Sequence, residues 1–148
     1  MTVRVERSFE LDASPERVWE FIADPANRAR AISVVESYTL CDDNGRHATW
    51  QVSLPLPLVD RTLAVETEDV VRDPPRYVKF VGRSPVLTVT GEHELIETDR
   101  GCRLENRFTV DGNLPGVERF FERRLDAELE NLRRAAASDV AADGHGGQ

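Results

Sequence analysis

Alternating apolar and polar positions divide the chain into segments of different secondary structure. Over residues 3–11 apolar side chains occupy mostly the odd positions and polar side chains the even ones, a period of two that predicts a half-buried strand. Ser14 followed by Pro15 is typical of a helix start, and the apolar stripe behind them ends at Asp24. A second short helix is predicted over residues 25–32. Because it has few apolar residues, we expect it to close over the core rather than to form it.

Six more strand-like runs follow, each bounded by residues that favour turns. They lie near residues 35–41, 46–54, 61–71, 76–82, 86–97 and 102–111. Pro115 then begins a long amphipathic helix over residues 115–137, in which apolar residues recur at three- and four-residue steps. Residues 138–148 have no apolar periodicity, so we expect them to form a disordered tail.

This order of elements predicts an α+β domain over residues 1–137, built on a seven-stranded antiparallel sheet. Strands separated by a few turn residues must pair as antiparallel neighbours, which excludes a doubly wound parallel fold. A twisted sheet of this size curls around the C-terminal helix, and the two short helices lie between strands 1 and 2. A curved sheet touches a straight helix along only part of its length, so a gap remains that either side chains or a ligand must fill.

Composition narrows the classes of partner. The chain has 148 residues, 40% of them hydrophobic and 31% charged, which fits one globular domain. It is an acidic protein with a net charge of −8, which disfavours nucleic acid and anionic lipid surfaces. No apolar run is long enough for an integral membrane segment, so the sequence predicts a cytoplasmic protein. Cys41 and Cys102 match no metal-ligand spacing and are interpreted as reduced thiols.

Two polar side chains are predicted to lie together on the apolar face of the sheet. Across the tight connection at residues 98–101, Leu95 is expected to pair with Leu104. This register places His93 opposite Asn106, and both share the parity of their apolar neighbours. We therefore expect His93 and Asn106 to point together from the inner face.

Arg7 interrupts the apolar parity of the first strand and is a third candidate for this polar group. In one interpretation His93, Asn106 and Arg7 hold a ligand's oxygen, or His93 transfers a proton with its tautomer set by Asn106. In the other, His93 makes an ordinary core hydrogen bond and Arg7 pairs with a carboxylate or reaches solvent. Burying an unpaired polar group costs roughly 1–3 kcal/mol, which favours a wet or liganded pocket over a dry core.

Apolar side chains of inward parity are the candidate walls of that pocket, although core packing also explains each of them. They are Trp50, Phe80, Val89, Phe108, Phe121 and Leu125. The sequence has no Ser-His-Asp spacing, no phosphate-binding glycine loop and no metal-ligand cluster. We therefore expect neither a metal nor another cofactor.

The first predicted helix carries a family resemblance. Residues 13–25, with the sequence ASPERVWEFIADP, resemble the first-helix signature of the START-like (SRPBCC) superfamily, which includes polyketide cyclases and lipid-transfer domains. The turn at Asp73-Pro74-Pro75 and Gly91 support the resemblance, which covers residues 3–135. It implies a helix-grip fold that encloses an apolar pocket for a lipid, polyketide, sterol-like or aromatic ligand.

The sequence departs from the usual superfamily pattern at three places, and these affect the subfamily rather than the fold. They are Gly101-Cys102, Ala31-Ile32-Ser33 and Pro85-Val86-Leu87. Within the superfamily, the Pro-Pro turn and residues 110–112 are most similar to the G-type accessory proteins of carbon-monoxide dehydrogenase.

Three functional hypotheses follow from the pattern and the resemblance. The first is a non-catalytic module that binds a small hydrophobic ligand between the sheet and the C-terminal helix. The second is a cyclase, dehydratase or isomerase in which His93 handles protons. The third is an accessory or maturation protein for a larger enzyme, with a protein partner or a second copy docking at residues 55–59 or on the exposed helix face; a bend at the pocket mouth is the alternative for residues 55–59.

Overall fold

The computed structural model describes residues 2–31, 35–40, 46–53, 62–112 and 117–146. Within these ranges it does not describe the side chains of residues 62, 117, 118, 121, 125 and 142–146. The predicted docking stretch at residues 55–59 and Cys41 therefore lie outside the described part of the chain, whereas Cys102 is buried with a free thiol.

The elements follow the predicted order. They are β1 (Thr2–Leu11), α1 (Pro15–Ile22), α2 (Pro25–Ala31), β2 (Val35–Leu40), β3 (His47–Ser53), β4 (Thr62–Asp73), β5 (Tyr77–Arg83), β6 (Leu87–Glu97), β7 (Cys102–Gly112) and α3 (Val117–Gly146). In the described residues, no helix is both long enough and apolar enough to cross a membrane.

The strands form one antiparallel sheet in the order β1-β7-β6-β5-β4-β3-β2. The α+β helix-grip prediction, with a curved sheet packed against the C-terminal helix, is confirmed. The register between β6 and β7 is also confirmed, because His93 pairs with Asn106 and Leu95 with Leu104. Along β3, β5 and β7, buried residues alternate with more exposed ones, as a sheet with one wet face requires.

The two short helices begin at side-chain caps. The Ser14 hydroxyl accepts a hydrogen bond from the backbone N–H of Arg17 at 3.3 Å, and Pro15 occupies the first turn of α1. At the start of α2, a carboxylate oxygen of Asp24 accepts from the N–H of Ala26 at 2.9 Å. The buried face of α2 consists mostly of alanine, which lets this helix lie close to the sheet.

The C-terminal helix differs from the sequence prediction at its end. Residues 138–146 continue α3 instead of forming a disordered tail. Val140 packs against the hydrophobic core, and Asp139 pairs with Arg17 of α1 at 2.9 Å. These two contacts extend the helix beyond the apolar stripe from which its end was predicted, and the alanines around them have high helix propensity.

Phe80 occupies the centre of the inner face, and its position requires a glycine on the neighbouring strand. Gly91 is the partner of Phe80 in the pairing of β5 with β6. A Cβ atom at residue 91 would overlap the Phe80 ring, with Cζ only 2.5 Å away. The missing side chain therefore lets the ring lie directly against the β6 backbone.

We expect Gly91→Ala to lower the free energy of unfolding by about 1–3 kcal/mol, because the Phe80 ring must leave its position. Urea denaturation followed by circular dichroism measures this change. Thr90→Ala, on the same strand but on the outer face, is the control and should cost less. Equal stability of Gly91→Ala and the wild type would contradict the tight contact between Gly91 and Phe80.

Candidate functional site

A largely apolar cavity lies between the inner face of the sheet, α2 and α3. The centres of water-sized molecules can occupy about 60 Å³ of it, and one water needs roughly 10–15 Å³ by the same measure. The cavity therefore has room for several waters or for part of a small organic molecule. The residues that line it are Arg28, Val35, Trp50, Val52, Val65, Phe80, Leu87, Val89, His93, Phe108, Val110, Glu128, Leu129 and Leu132.

Aromatic rings surround Phe80 at the inner end of this cavity. The Phe80 centroid lies 5.6 Å from that of Trp50 and 6.0 Å from that of Phe108. The His93 ring stacks on Phe80 with a centroid separation of 6.1 Å and meets Phe108 edge-on at 5.6 Å. These separations are typical of favourable aromatic pairs, so the rings hold one another in fixed positions.

His93 is oriented by its strand partner. Its Nδ1 lies 2.7 Å from Oδ1 of Asn106, and Nδ2 of Asn106 donates to the backbone carbonyl of Arg7 at 3.3 Å. Because the Asn106 amide N–H is directed to that carbonyl, Oδ1 accepts the bond from His93, and the imidazole proton lies on Nδ1. The lone pair of Nε2 is then available as a hydrogen-bond acceptor in the cavity wall.

Burial keeps this imidazole neutral. His93 is only 1% exposed, and its pKa is lowered from 6.5 to about 3, first by burial and then by the positive charge of Arg28. The hydrogen bond to Asn106 opposes this change in pKa but is the weaker effect. At neutral pH His93 therefore accepts hydrogen bonds through Nε2 but does not accept a proton.

Arg28 brings a charge into the wall from α2. Its guanidinium is buried and donates from Nη2 to Oδ1 of Asp69 on β4 at 2.6 Å. The other carboxylate oxygen of Asp69 accepts from Arg72 at 3.0 Å. Burial lowers the pKa of Arg28, and the charge of Asp69 opposes that effect.

Several buried polar atoms around the cavity have no protein partner. Among the described residues, no group forms a hydrogen bond with Nε or Nη1 of Arg28, Nε1 of Trp50 or Nε2 of His93. Buried polar atoms are nearly always paired, and each unpaired one costs free energy. This wall therefore offers N–H donors from Arg28 and Trp50 and an acceptor from His93.

The structure brings together most of the predicted site residues. Trp50, Phe80, Val89, His93 and Phe108 all line the cavity. Asn106 lies behind the His93 ring and orients it. The side chains of the remaining two predicted wall residues, Phe121 and Leu125, lie outside the described part of the chain.

Arg7 does not join this group, and its prediction as a ligand contact is not supported by its placement. Its guanidinium is half-exposed and pairs with Asp126 of α3. Strand β1 forms the edge of the sheet and packs against α3, so a long side chain at this position reaches the helix surface and solvent.

Sequence analysis missed the two charged residues of the wall, Arg28 and Glu128. One signal was available for Arg28: it lies three residues after Pro25 and next to Ala29, so the helical period puts it on the buried face. A second signal was Asp69, which shares the inward parity of Val65 in β4 and needs a cationic partner.

No group of three His, Cys, Asp or Glu side chains in the described residues is arranged to hold a metal ion. The predicted absence of a metal or another cofactor stays a prediction.

Comparison with protein families gives one match. The family described as "polyketide cyclase / dehydrase and lipid transport" matches residues 2–137. A comparison with curated protein sequences gives no significant match.

Solved structures share the fold along nearly the whole chain. A START superfamily protein from Mycobacterium smegmatis has a TM-score of 0.73 at 12% identity, over 94% of this chain and 97% of that one. A protein from Thermus thermophilus has a TM-score of 0.73 at 18% identity, over 97% and 99%. The di-domain ARO/CYC protein StfQ from the steffimycin biosynthetic pathway has a TM-score of 0.72 at 12% identity, over 97% of this chain and 52% of that one. At these identities the similarity shows the fold alone.

The buried His93 predicts a pH-dependent stability. The unfolded chain binds a proton at this residue below pH 6.5, whereas the folded chain resists it until about pH 3. Stability is therefore greatest above pH 6.5 and falls as the pH decreases toward 3. Between pH 7 and pH 5 we expect the wild type to lose about 2 kcal/mol more than His93→Gln does. Urea denaturation of both proteins at each pH measures the difference, and parallel pH profiles would contradict it.

The buried ion pair predicts strong coupling between Arg28 and Asp69. Asp69→Leu leaves the Arg28 guanidinium buried without its carboxylate and should cost about 3–5 kcal/mol, whereas the double variant Arg28→Met/Asp69→Leu should cost clearly less. Glu130→Gln, which removes an exposed ion pair with Arg133, is the control and should cost at most about 1 kcal/mol. Thermal and urea denaturation test these values, and additive losses in the double variant would exclude the coupling.

Proposed function

Because the chain belongs to the polyketide cyclase/dehydrase and lipid transport family, we propose that it binds a small, largely apolar molecule in the cavity between the sheet and α3. The ligand has an apolar body and carries oxygen at one end. A lipid, a polyketide or an aromatic compound meets this description.

One observation carries the proposal: unpaired polar atoms occupy the wall of an otherwise apolar cavity. Arg28, Trp50 and His93 each have at least one buried polar atom without a partner among the described residues, and all three line the cavity. Aliphatic residues would fill a dry core at lower cost. A ligand oxygen that accepts from Arg28 or Trp50, and a hydroxyl that donates to His93, would satisfy these atoms.

The shape of the wall favours a flat apolar body. The ring centroids of Trp50 and Phe108 lie 5.6 Å and 6.0 Å from that of Phe80. Aromatic faces and edges of this kind favour contact with a planar ligand. Among the three ligand classes, the rings favour an aromatic compound or a cyclised polyketide.

The state of His93 favours binding over proton transfer. A general acid or base works best when its pKa lies near the operating pH, whereas the pKa of His93 is about 3. The alternative of a cyclase, dehydratase or isomerase that uses His93 as its proton-handling group therefore has weaker support. The accessory-protein alternative depended on residues 55–59, outside the described residues, and stays a prediction.

Filling the cavity should abolish binding without unfolding the protein. We expect the wild type to enhance the fluorescence of the neutral probe N-phenyl-1-naphthylamine, and we expect Val89→Phe, which extends into the cavity, to weaken binding by about tenfold or more. Thr90→Phe, on the neighbouring outer-face position, is the matched control and should bind like the wild type. Circular dichroism verifies the fold of each variant. Failure of the wild type to bind, or equal binding by Val89→Phe, would overturn the proposal.

A further inference from the structure

Three charged side chains form a cluster at the α2 side of the cavity. Arg28 and Arg72 contribute two guanidinium groups, and Asp69 contributes one carboxylate. Asp69 and Arg28 are 3% and 2% exposed, so little solvent screens this part of the cluster. Both carboxylate oxygens of Asp69 are already occupied, one by each arginine. The three side chains together therefore carry one net positive charge.

The free hydrogen-bonding capacity of the cluster belongs to Arg28. Asp69 uses only its Nη2, whereas Nε and Nη1 have no partner among the described residues. The guanidinium carbon lies 5.1 Å from the centroid of Phe80, and the Trp50 ring lies 5.6 Å from the same centroid. Unpaired N–H donors of Arg28 and of Trp50 thus lie around one aromatic ring in the cavity wall.

A negative charge also reaches the wall, but from a different element. Glu128 of α3 is buried and lines the cavity, and Arg124 lies 4.0 Å from it on the same helix. The Nε and Nη1 donors of Arg28 form no hydrogen bond within the described part of the chain, so Glu128 does not occupy them. Its carboxylate nevertheless makes a cationic ligand the natural competing hypothesis.

We propose that the cavity selects an organic anion, an aromatic molecule with a carboxylate or a phenolate oxygen, and that Arg28 binds this oxygen. The inference rests on the proposed function and adds the charge of the ligand to it. An anionic oxygen pairs the donors of Arg28 and offsets the net positive charge of the cluster, and charge-assisted bonds of this kind are about twice as strong as neutral ones. His93 remains neutral and accepts a bond from a hydroxyl elsewhere on the ligand.

Benzoate and nitrobenzene test the charge of the ligand, because they are nearly identical in shape and differ in net charge. Binding is followed by the ¹H–¹⁵N signal of the Trp50 indole, which lies in the cavity wall. We expect benzoate to bind the wild type about tenfold more tightly than nitrobenzene. We expect Arg28→Met to reverse this order, because Asp69 then keeps Arg72 as its partner and the cluster loses its net charge. Arg30→Met, on the exposed side of the same helix, is the matched control and should retain the preference.

Each outcome separates this inference from the proposed function. Binding of nitrobenzene as tight as that of benzoate overturns the anion preference and leaves the proposed function intact. Tighter binding of benzylammonium than of benzoate also overturns it, and assigns selectivity to Glu128. Failure of all three probes to shift the Trp50 signal overturns both. The wild-type comparison decides these cases even if Arg28→Met does not fold.

Discussion

The buried contact between Arg28 and Asp69 fixes the part of the structure that closes the cavity. A helix of seven residues such as α2 is too short to be stable by itself. It is held by the 2.6 Å bond from Arg28 to Asp69, and Arg72 of the same strand donates to the carbonyl of Ala23, between α1 and α2, at 2.8 Å. Strand β4 thus anchors the corner between the two short helices. Buried ion pairs rarely add stability relative to apolar residues, so this one has its main consequence in the position and charge that it gives to the cavity.

The opposite wall depends on a different constraint, the close approach of two strands. Gly91 has no side chain, and the Phe80 ring lies against its backbone. That position places Phe80 in contact distance of His93, Phe108 and Trp50, and below the guanidinium of Arg28. One glycine therefore sets the arrangement of the aromatic rings, and the rings set the shape of the apolar end. The charged helix corner and the aromatic wall together give a cavity that is apolar in shape and polar at one place.

Much of this arrangement could be predicted from the sequence, because it depends on local periodicity. The tight turn at residues 98–101 fixes the register of β6 and β7, and the register fixes the pairing of His93 with Asn106. The parity of each strand then placed Trp50 and Phe80 on the inner face, where the structure has them. The predicted end of α3 at residue 137 was wrong, because contacts of Val140 and Asp139 with distant residues extend the helix.

Pattern and turn chemistry determined the sheet, the order of its strands and the face to which each side chain belongs, since these follow from neighbours a few residues apart. The tertiary structure decided which polar residues share the cavity. Arg7 has inward parity yet lies beside α3 at the sheet edge, whereas Arg28, in a helix with few apolar residues, enters the cavity. The physical reason is that the partner of each guanidinium, Asp126 or Asp69, lies far away in the sequence. Only the packing of helices on the sheet determines which carboxylate each arginine can reach.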